Sequence, residues 1–259
     1  MLVTIKSSLF SLSKHIFGNK FTRSLHRVYK KWITKTLKSD LEIIEKVSEF
    51  IHQGDLVLDI GANIGQWTVP LSKKVGQQGS VISFEPNQET ISILRLKTKR
   101  LKNLRIVPFG LSDKEESVEM LIPEEISCPP NATIAQTASH IDKQSNMKVT
   151  KIRVKKLDSV VSELDLKDIS FIKIDVEGHE SNVLRGFSTE IEKNYPLIFM
   201  EILKSKWIDE SPKKSESAIF LIERGYQMLQ YSSNSKEFEQ DKKFNKDDLN
   251  FLFTHPNRI

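Results

Sequence analysis

The chain has 259 residues, of which 38% are hydrophobic and 28% are charged, and these values fit one folded domain with modest additions. A single cysteine excludes an internal disulfide and a cysteine-based zinc site. The formal net charge of +5 is uneven, because residues 1–39 hold nine basic side chains and no acid, which leaves 30 basic against 34 acidic side chains in the remainder. A mildly acidic body argues against a nucleic-acid-binding surface.

Residues 1–38 are a basic extension whose apolar residues follow the spacing of an amphipathic helix, interrupted at Gly18-Asn19. We expect this arm to pack on the domain or on a second copy of the chain, and an anionic membrane surface is the alternative partner. No apolar run reaches the length of a transmembrane helix, and no cleavage site of a secretory signal follows. An organellar transit peptide has a similar composition, so that alternative stays open. We therefore expect a cytoplasmic protein, peripheral to a membrane if the arm binds one.

Alternating strands and helices are predicted from residue 39 onward. Ser39-Asp-Leu-Glu42 is a capping box, which starts a helix that Gly54 ends. In chain order the next predicted elements are a strand over 55–60, a helix over 66–75, a strand over 81–85, a helix over 89–101 and a strand over 104–109. This alternation indicates a parallel sheet with crossover helices.

The second half of the chain begins with a segment that breaks this rhythm. Residues 123–148 contain three prolines and a long polar run, and they predict a substrate loop or lid. The elements predicted after it are a half-exposed strand over 151–157, buried strands over 169–174 and 197–202, a helix from Ser211-Pro212 to Gly225, and strands over 226–231 and 250–254. We expect residues 39–259 to form one domain.

A glycine turn, Asp59-Ile-Gly61-Ala-Asn-Ile-Gly65, follows the first predicted strand. Glycine lets a ligand approach the backbone closely, and Glu85 ends the next strand at about the twenty-residue offset of a ribose-binding acid. Asn63 replaces the middle glycine of a dinucleotide fingerprint, and Asp59 would repel a pyrophosphate. That acid suits the cationic amino-acid end of S-adenosylmethionine, so the pattern favours this cofactor over a nicotinamide dinucleotide.

With this turn, further segments resemble the FkbM-type S-adenosylmethionine-dependent methyltransferases over about residues 40–254. They are Phe84-Glu-Pro86, Gly110-Leu-Ser-Asp113, Leu157-Asp158, Ile172-Lys-Ile-Asp-Val-Glu-Gly178 with Glu180, and Phe199-Met-Glu201. The resemblance implies a Rossmann-like class I methyltransferase fold, an α/β fold with a mostly parallel seven-stranded sheet and helices on both faces. It also implies S-adenosylmethionine as methyl donor and, usually, O-methylation of a hydroxyl on a sugar, glycolipid or other small metabolite.

By position, the resemblance assigns cofactor binding to Asp59, Gly61, Asn63, Gly65, Glu85 and Asp113. Glu85 would hold the ribose, and Asp113 would meet the adenine amino group, with Ser112 or a neighbouring backbone amide as the alternative. Phe109-Gly110 departs from the Asn-x-Ala-like segment that many relatives carry, which leaves the adenine wall undefined.

The second glycine turn supplies the candidate catalytic residues. Asp175 ends a strand beside the predicted cofactor, where it would orient the acceptor or stabilise the sulfonium. His179 has the most suitable intrinsic pKa for a general base in this neighbourhood, and an exposed histidine in a first helical turn is the alternative. We predict Asp175 and His179 as catalytic residues, and we predict that the acceptor binds Glu177, Glu201 and His140. Lys173 precedes Asp175 in the same strand and suggests a structural role.

A metal site and a helix N-terminus are two other interpretations of these carboxylates. Asp175, Glu177 and Glu201 could hold a divalent cation, but their spacing is not diagnostic, and we predict no metal. Glu177 and Glu180 could simply favour a helix N-terminus. The alternative functions are a nucleic-acid methyltransferase, which typically has an Asn/Asp-Pro-Pro-aromatic element where this chain has Asp175-Val-Glu-Gly178, and a cofactor-binding protein without catalysis. We predict a small-molecule or glycan acceptor and no nucleic acid.

Overall fold

The structure is a computed structural model that describes residues 41–123, 133–134, 147–240, 244–246 and 248–258. The chain divides into two units, residues 1–45 and residues 46–259. The basic arm, the Ser39 cap and His140 lie outside the described residues. Within the described ranges, no helix has both the length and the apolar character needed to cross a bilayer.

Three parallel strands and their crossover helices form the first half of the main sheet. The elements are α1 (residues 41–48), β1 (Leu56–Ile60), α2 (Thr68–Val75), β2 (Ser80–Phe84), α3 (Gln88–Thr98) and β3 (Leu104–Val107). Helix α3 starts where it does because the Asn87 side chain accepts a hydrogen bond from the Glu89 backbone N–H at 2.9 Å. Helix α2 ends at Gly76, which takes the positive φ that glycine favours.

A smaller four-stranded sheet follows. Its strands are β4 (Gly110–Leu111), β5 (Glu116–Pro123), β6 (Thr133–Ile134) and β7 (Met147–Lys155). Antiparallel pairing of β5 with β7 runs from Glu116 opposite Val154 to Pro123 opposite Met147. The described parts of the predicted 123–148 loop are therefore strand residues, which corrects that prediction for residues 123, 133–134 and 147–148. The strand predicted over 151–157 begins earlier, at Met147.

The main sheet then resumes with its central strands. The elements are α4 (Leu157–Leu164), β8 (Ile169–Ile174), α5 (Glu180–Arg185), α6 (Ser188–Asn194), β9 (Leu197–Glu201), α7 (Glu216–Ile222), β10 (Gln227–Ser232), β11 (Glu237–Glu239) and β12 (Asn250–Thr254). The helix predicted from Ser211 starts later than expected. Pro212–Lys214 form a 3-10 turn, and the Ser215 hydroxyl caps α7 by accepting from the Ala218 N–H at 3.3 Å.

The strand order of the main sheet is β3-β2-β1-β8-β9-β12-β10-β11. Neighbours from β3 to β9 are parallel, whereas β12 runs antiparallel to both β9 and β10. This arrangement confirms the predicted Rossmann-like α/β fold with a mostly parallel sheet. Among the described residues it has eight strands rather than seven, because the short strand β11 adds to the edge beside β10.

Strands β1 and β8 lie at the centre of this sheet. Val57, Leu58, Phe171 and Ile172 are fully buried, which is why both strands are continuous apolar runs in the sequence. Parallel strands end at the same edge of a sheet, so the turns that follow β1, β2 and β8 meet there. The candidate site lies at this carboxyl edge.

Candidate functional site

The turn after β1 packs directly against the turn after β8. Gly61 has a φ of +77°, and a Cβ added to it would lie 1.9 Å from the carbonyl oxygen of Asp175. The N–H groups of Gly61 and Ala62 both donate to the carbonyl oxygen of Phe84 at the end of β2, each at 3.0 Å. Only glycine allows this approach, so the three strand ends form one compact surface.

Asp59 supports that turn from beneath. Its side chain is fully buried, and the Thr68 hydroxyl donates to its Oδ2 at 2.5 Å. The other oxygen, Oδ1, lies 3.7 Å from the Lys173 Nζ and accepts no hydrogen bond from any described residue. Burial raises the pKa of Asp59 above its ordinary value, although the charge of Lys173 and the bond from Thr68 oppose that shift.

Glu85 is held as an oriented carboxylate at the end of β2. Its Oε2 accepts from the backbone N–H of Asn63 and its Oε1 from that of Asn87, each at 2.9 Å. Burial raises the pKa of Glu85, while these two bonds pull it down. A carboxylate oxygen can accept more than one hydrogen bond, so both oxygens keep capacity for a ligand.

Asn63 adds a second acceptor beside Glu85. It takes a left-handed backbone conformation, with a φ of 49°. Its side-chain Oδ1 is buried and has no hydrogen-bond partner among the described residues. An unsatisfied buried acceptor is costly in a folded protein, and a ligand with a hydroxyl or amino donor would satisfy it.

Lys173 is a buried charged residue at this edge of the sheet that the sequence reasoning did not include in the site. It lies opposite Asp59 in the register of β1 and β8, and its side chain is 3% exposed. The ammonium donates to the Gly61 carbonyl oxygen at 3.0 Å and lies 3.2 Å from the Asp175 Oδ2. Burial opposes its charge, but Asp175 and Asp59 together raise the pKa of Lys173 above its ordinary value. The sequence did contain a signal for this role. The one lysine of β8 stands two residues before Asp175, so the two side chains leave the same face of the strand.

The turn after β8 gathers acidic side chains around Asp175. Glu177 has a φ of 53° and precedes Gly178, which has a φ of 96°. Glu180 is buried and accepts from the Gly178 N–H at 2.9 Å. Burial, followed by the charge of Asp175, raises the pKa values of Glu177 and Glu201 well above the usual range. No group of three or more potential metal ligands with suitable geometry occurs in the part of the chain that the structure describes.

His179 lies on the side of Asp113 in this structure. It is 5% exposed, so the alternative of an exposed first-turn histidine is wrong. Its Nε2 is 3.0 Å from the Ser112 hydroxyl, and its Nδ1 has no partner in the described ranges. Burial lowers the pKa of His179 to about 4, which makes the imidazole a weak proton acceptor. This placement argues against the predicted role of His179 as general base.

Asp113 has a defined orientation at the start of the loop after β4. Its Oδ1 accepts from the Asn182 side-chain amide at 3.0 Å and from the Ser112 hydroxyl at 3.2 Å. Partial burial opposes the charge, but these bonds lower the pKa of Asp113. Asn182 of α5 therefore fixes the Asp113 carboxylate, and the adenine contact through Asp113 or Ser112 stays a prediction.

Comparisons with known proteins find methyltransferases among the relatives of this chain. The hexuronic acid methyltransferase AglP of Haloferax volcanii is 26% identical over 163 residues, which cover 62% of this chain and 62% of AglP. Methyltransferase 1 of Beauveria bassiana is 25% identical over 169 residues, which cover 58% of this chain and 65% of that protein. The chain thus spans less than two thirds of either relative.

A solved structure and a family of domains also match. The crystal structure of Methyltransferase FkbM from Methylobacillus flagellatus KT has a TM-score of 0.49 and 16% identity, and the match covers 77% of this chain and 43% of that chain. Residues 59–228 match the methyltransferase FkbM domain, whose limits include both glycine turns and every strand from β2 to β9. The chain therefore belongs to the FkbM methyltransferase family.

Proposed function

We propose that this protein is an S-adenosylmethionine-dependent methyltransferase that transfers the methyl group to a hydroxyl oxygen of a sugar, a glycolipid or another small metabolite. The observation that carries the proposal is the contact between the two glycine turns. It brings the oriented acceptors of one turn and the carboxylates of the other to the same edge of the sheet.

The residues present fit S-adenosylmethionine, the cofactor of this family. Glu85 is fixed by two backbone N–H groups and keeps capacity to accept from ribose hydroxyls. Asn63 offers the buried, unsatisfied Oδ1 beside it. Asp175 lies at the adjacent strand end with its side chain partly exposed. Burial and the charge of Asp175 raise the pKa values of Glu177 and Glu201, which shows that this region disfavours further negative charge and favours a cofactor that carries a sulfonium and an ammonium group.

The cofactor, when bound, supplies a methyl group already activated for displacement, so alignment is the protein's main contribution. Asp175 is 36% exposed at its side chain, and Lys173 fixes one of its oxygens, which leaves the other to orient an acceptor hydroxyl. When the cofactor is bound, transfer to the acceptor oxygen would release the hydroxyl proton, and a carboxylate at these strand ends would accept it. Asp175 suits that role better than His179 does, because Asp175 is partly exposed at the strand end, whereas His179 lies beside the Ser112 hydroxyl with its pKa lowered to about 4.

Support for a sugar acceptor comes from one relative, whose name describes methylation of a hexuronic acid. A sugar hydroxyl also matches the chemistry of the site, since ionised carboxylates accept hydrogen bonds from hydroxyl groups.

Calorimetry tests the cofactor half of the proposal. We expect the protein to bind S-adenosylmethionine and not NADH, with the affinity reduced roughly 10- to 100-fold in Glu85→Gln, because a charged acceptor is lost. Glu89→Gln is the matched control, since Glu89 lies nearby in α3 with its side chain 73% exposed. Binding of NADH, or an equal loss in both variants, would contradict the proposed cofactor site.

Methyl transfer to candidate acceptors tests the other half. The protein is incubated with methyl-tritiated S-adenosylmethionine and neutral sugars, hexuronic acid glycosides, glycolipids or RNA. Label that survives mild alkali on a sugar marks an ether at a hydroxyl and supports the proposal. Base-labile label marks a carboxyl ester, and label in RNA marks a nucleic-acid substrate, and either result would replace the proposed acceptor.

A further inference from the structure

One buried ammonium contacts groups from both glycine turns. The Lys173 Nζ lies 3.0 Å from the Gly61 carbonyl oxygen, 3.2 Å from the Asp175 Oδ2 and 3.7 Å from the Asp59 Oδ1. Gly61 belongs to the turn after β1, and Asp175 to the turn after β8. Lys173 is therefore the side chain through which the cofactor turn and the acceptor-side carboxylate are held together.

The surrounding backbone fixes this arrangement. Lys173 and Asp175 are two residues apart in an extended segment, so their side chains leave the same face. The strand register places Lys173 opposite Asp59. An ammonium has three N–H donors and no acceptor, and here it meets three oxygen atoms in an enclosed space. Loss of the Lys173 ammonium would therefore release the Asp175 carboxylate, while backbone bonds such as that from the Asp175 N–H to the Ile60 carbonyl oxygen at 3.1 Å would still hold the turns.

The charge of Lys173 is set by its acidic neighbours. Asp59 and Asp175 outweigh the effect of burial and keep the Lys173 side chain protonated at neutral pH. The same ammonium acts on Glu85, Glu177 and Glu201, and it opposes the rise of their pKa values. Lys173 thus offsets part of the negative charge that the site presents to a cation.

We propose that Lys173 is a positioning residue that holds Asp175 against the cofactor turn and limits the preference of the site for S-adenosylmethionine over S-adenosylhomocysteine. The inference rests on the cofactor of the proposed function and not on its acceptor. The two ligands share their adenosine and amino-acid parts, and they differ by one methyl group and the sulfonium charge. The ratio of their dissociation constants therefore reports the charge that the site directs at the sulfur.

The experiment is calorimetric titration of each ligand at pH 8 into the full chain and three variants. Lys173→Gln removes the charge but keeps an N–H donor for Gly61, and we expect it to raise the preference for S-adenosylmethionine by roughly fivefold. Lys173→Arg should keep the preference within about twofold. Lys46→Gln is the matched control, because Lys46 also lies between two carboxylates, those of Glu49 and Glu237, but both are more than half exposed. The control should leave the ratio unchanged.

Equal weakening of both ligands in Lys173→Gln would show a merely structural role and would overturn the inference. If that variant does not fold, Asp175→Asn takes its place, since the Asp175 side chain is partly exposed. Loss of the Asp175 charge leaves the positive charge of Lys173 less balanced, so the preference for S-adenosylmethionine should fall by a similar factor. An unchanged ratio of the two dissociation constants would overturn the inference. Absence of binding by the unmodified protein would overturn the proposed function as well, whereas a failed acceptor screen leaves the ratio measurable.

Discussion

The two glycine turns lie against each other but satisfy their polar groups in opposite ways. In the turn after β1, backbone N–H groups are paired with the Phe84 carbonyl and with the Glu85 carboxylate at 2.9–3.0 Å. At the turn after β8, burial and the charge of Asp175 raise the pKa of Glu177 in that turn and that of Glu201 at the neighbouring end of β9.

This difference suits the first turn to binding and the second turn to the reaction. A turn whose donors are already paired keeps one shape, which suits the recognition of a rigid nucleoside. Where carboxylates crowd together, ionisation is unfavourable, and a bound cation can offset that cost. The comparison predicts that changes in the first turn alter geometry, whereas changes in the second alter charge and therefore depend on pH.

Gly61→Ala should have the largest effect, because it forces the two turns apart. The new Cβ would meet the Asp175 carbonyl oxygen, and the positive φ adds strain. We expect a loss of roughly 3–5 kcal/mol in the free energy of unfolding and no detectable S-adenosylmethionine binding. Gly54→Ala is the matched control, because Gly54 has a φ of +94° but nothing within 4 Å of its added Cβ, and it should cost only about 1 kcal/mol. Equal losses in urea unfolding would show that the contact with Asp175 is not what requires glycine.

His179→Gln tests whether a buried group beside the second turn is held neutral. Burial lowers the pKa of His179 from 6.5 to about 4, so the unfolded chain takes up this proton before the folded protein does. The stability that a neutral His179 provides is present above pH 6.5 and is lost as the pH falls to 4, by about 3 kcal/mol. The glutamine variant lacks this dependence, so its stability relative to the unmodified protein should improve in acid. Urea unfolding at pH 7.5, 6 and 4.5 measures the difference.

The control for this experiment is His52→Gln, whose side chain is 78% exposed. It should follow the unmodified protein at each pH. A His179→Gln curve parallel to that of the unmodified protein would mean that the pKa of His179 is the same in the folded and unfolded states, and His179 would then return as a candidate for proton transfer.

The positions of both turns could be predicted from the sequence, because β1 and β8 are apolar runs that end in an acid and a glycine turn. The roles of Lys173 and His179 could not be, since both depend on contacts between distant segments. Lys173 acquires its role from the register of β8 against β1. His179 is buried because α5 packs so closely on the loop after β4 that a Cβ on Gly186 would lie 1.9 Å from the Ser112 carbonyl oxygen.

The β5–β7 pairing was missed for a related reason. Val118, Met120 and Ile122 lie two residues apart, on one face of a strand, but their burial becomes evident only against Ile152 and Val154 of the partner strand. The sequence predicts a loop between these two segments. The composition of residues 123–148 gives no sign that β5 and β7 continue into the two ends of that loop.

Glu201→Gln should have the smallest effect on the free energy of unfolding. The sign of this effect tests most directly whether carboxylates are crowded beside the second turn. Burial and the charge of Asp175 raise the pKa of Glu201, so the folded protein holds this proton more tightly than the unfolded chain does. The stability linked to the proton is complete below pH 4.5 and is lost as the pH rises above it, whereas glutamine stays neutral throughout. We expect the variant to match the unmodified protein at pH 4.5 and to be more stable by on the order of 1 kcal/mol at pH 8.5. Glu163→Gln, at a side chain 61% exposed, should change stability by less than about 0.5 kcal/mol at either pH. Destabilisation by Glu201→Gln at pH 8.5 would show that its carboxylate is as well satisfied as that of Glu85, and the contrast between a geometric turn and a charged turn would then fail.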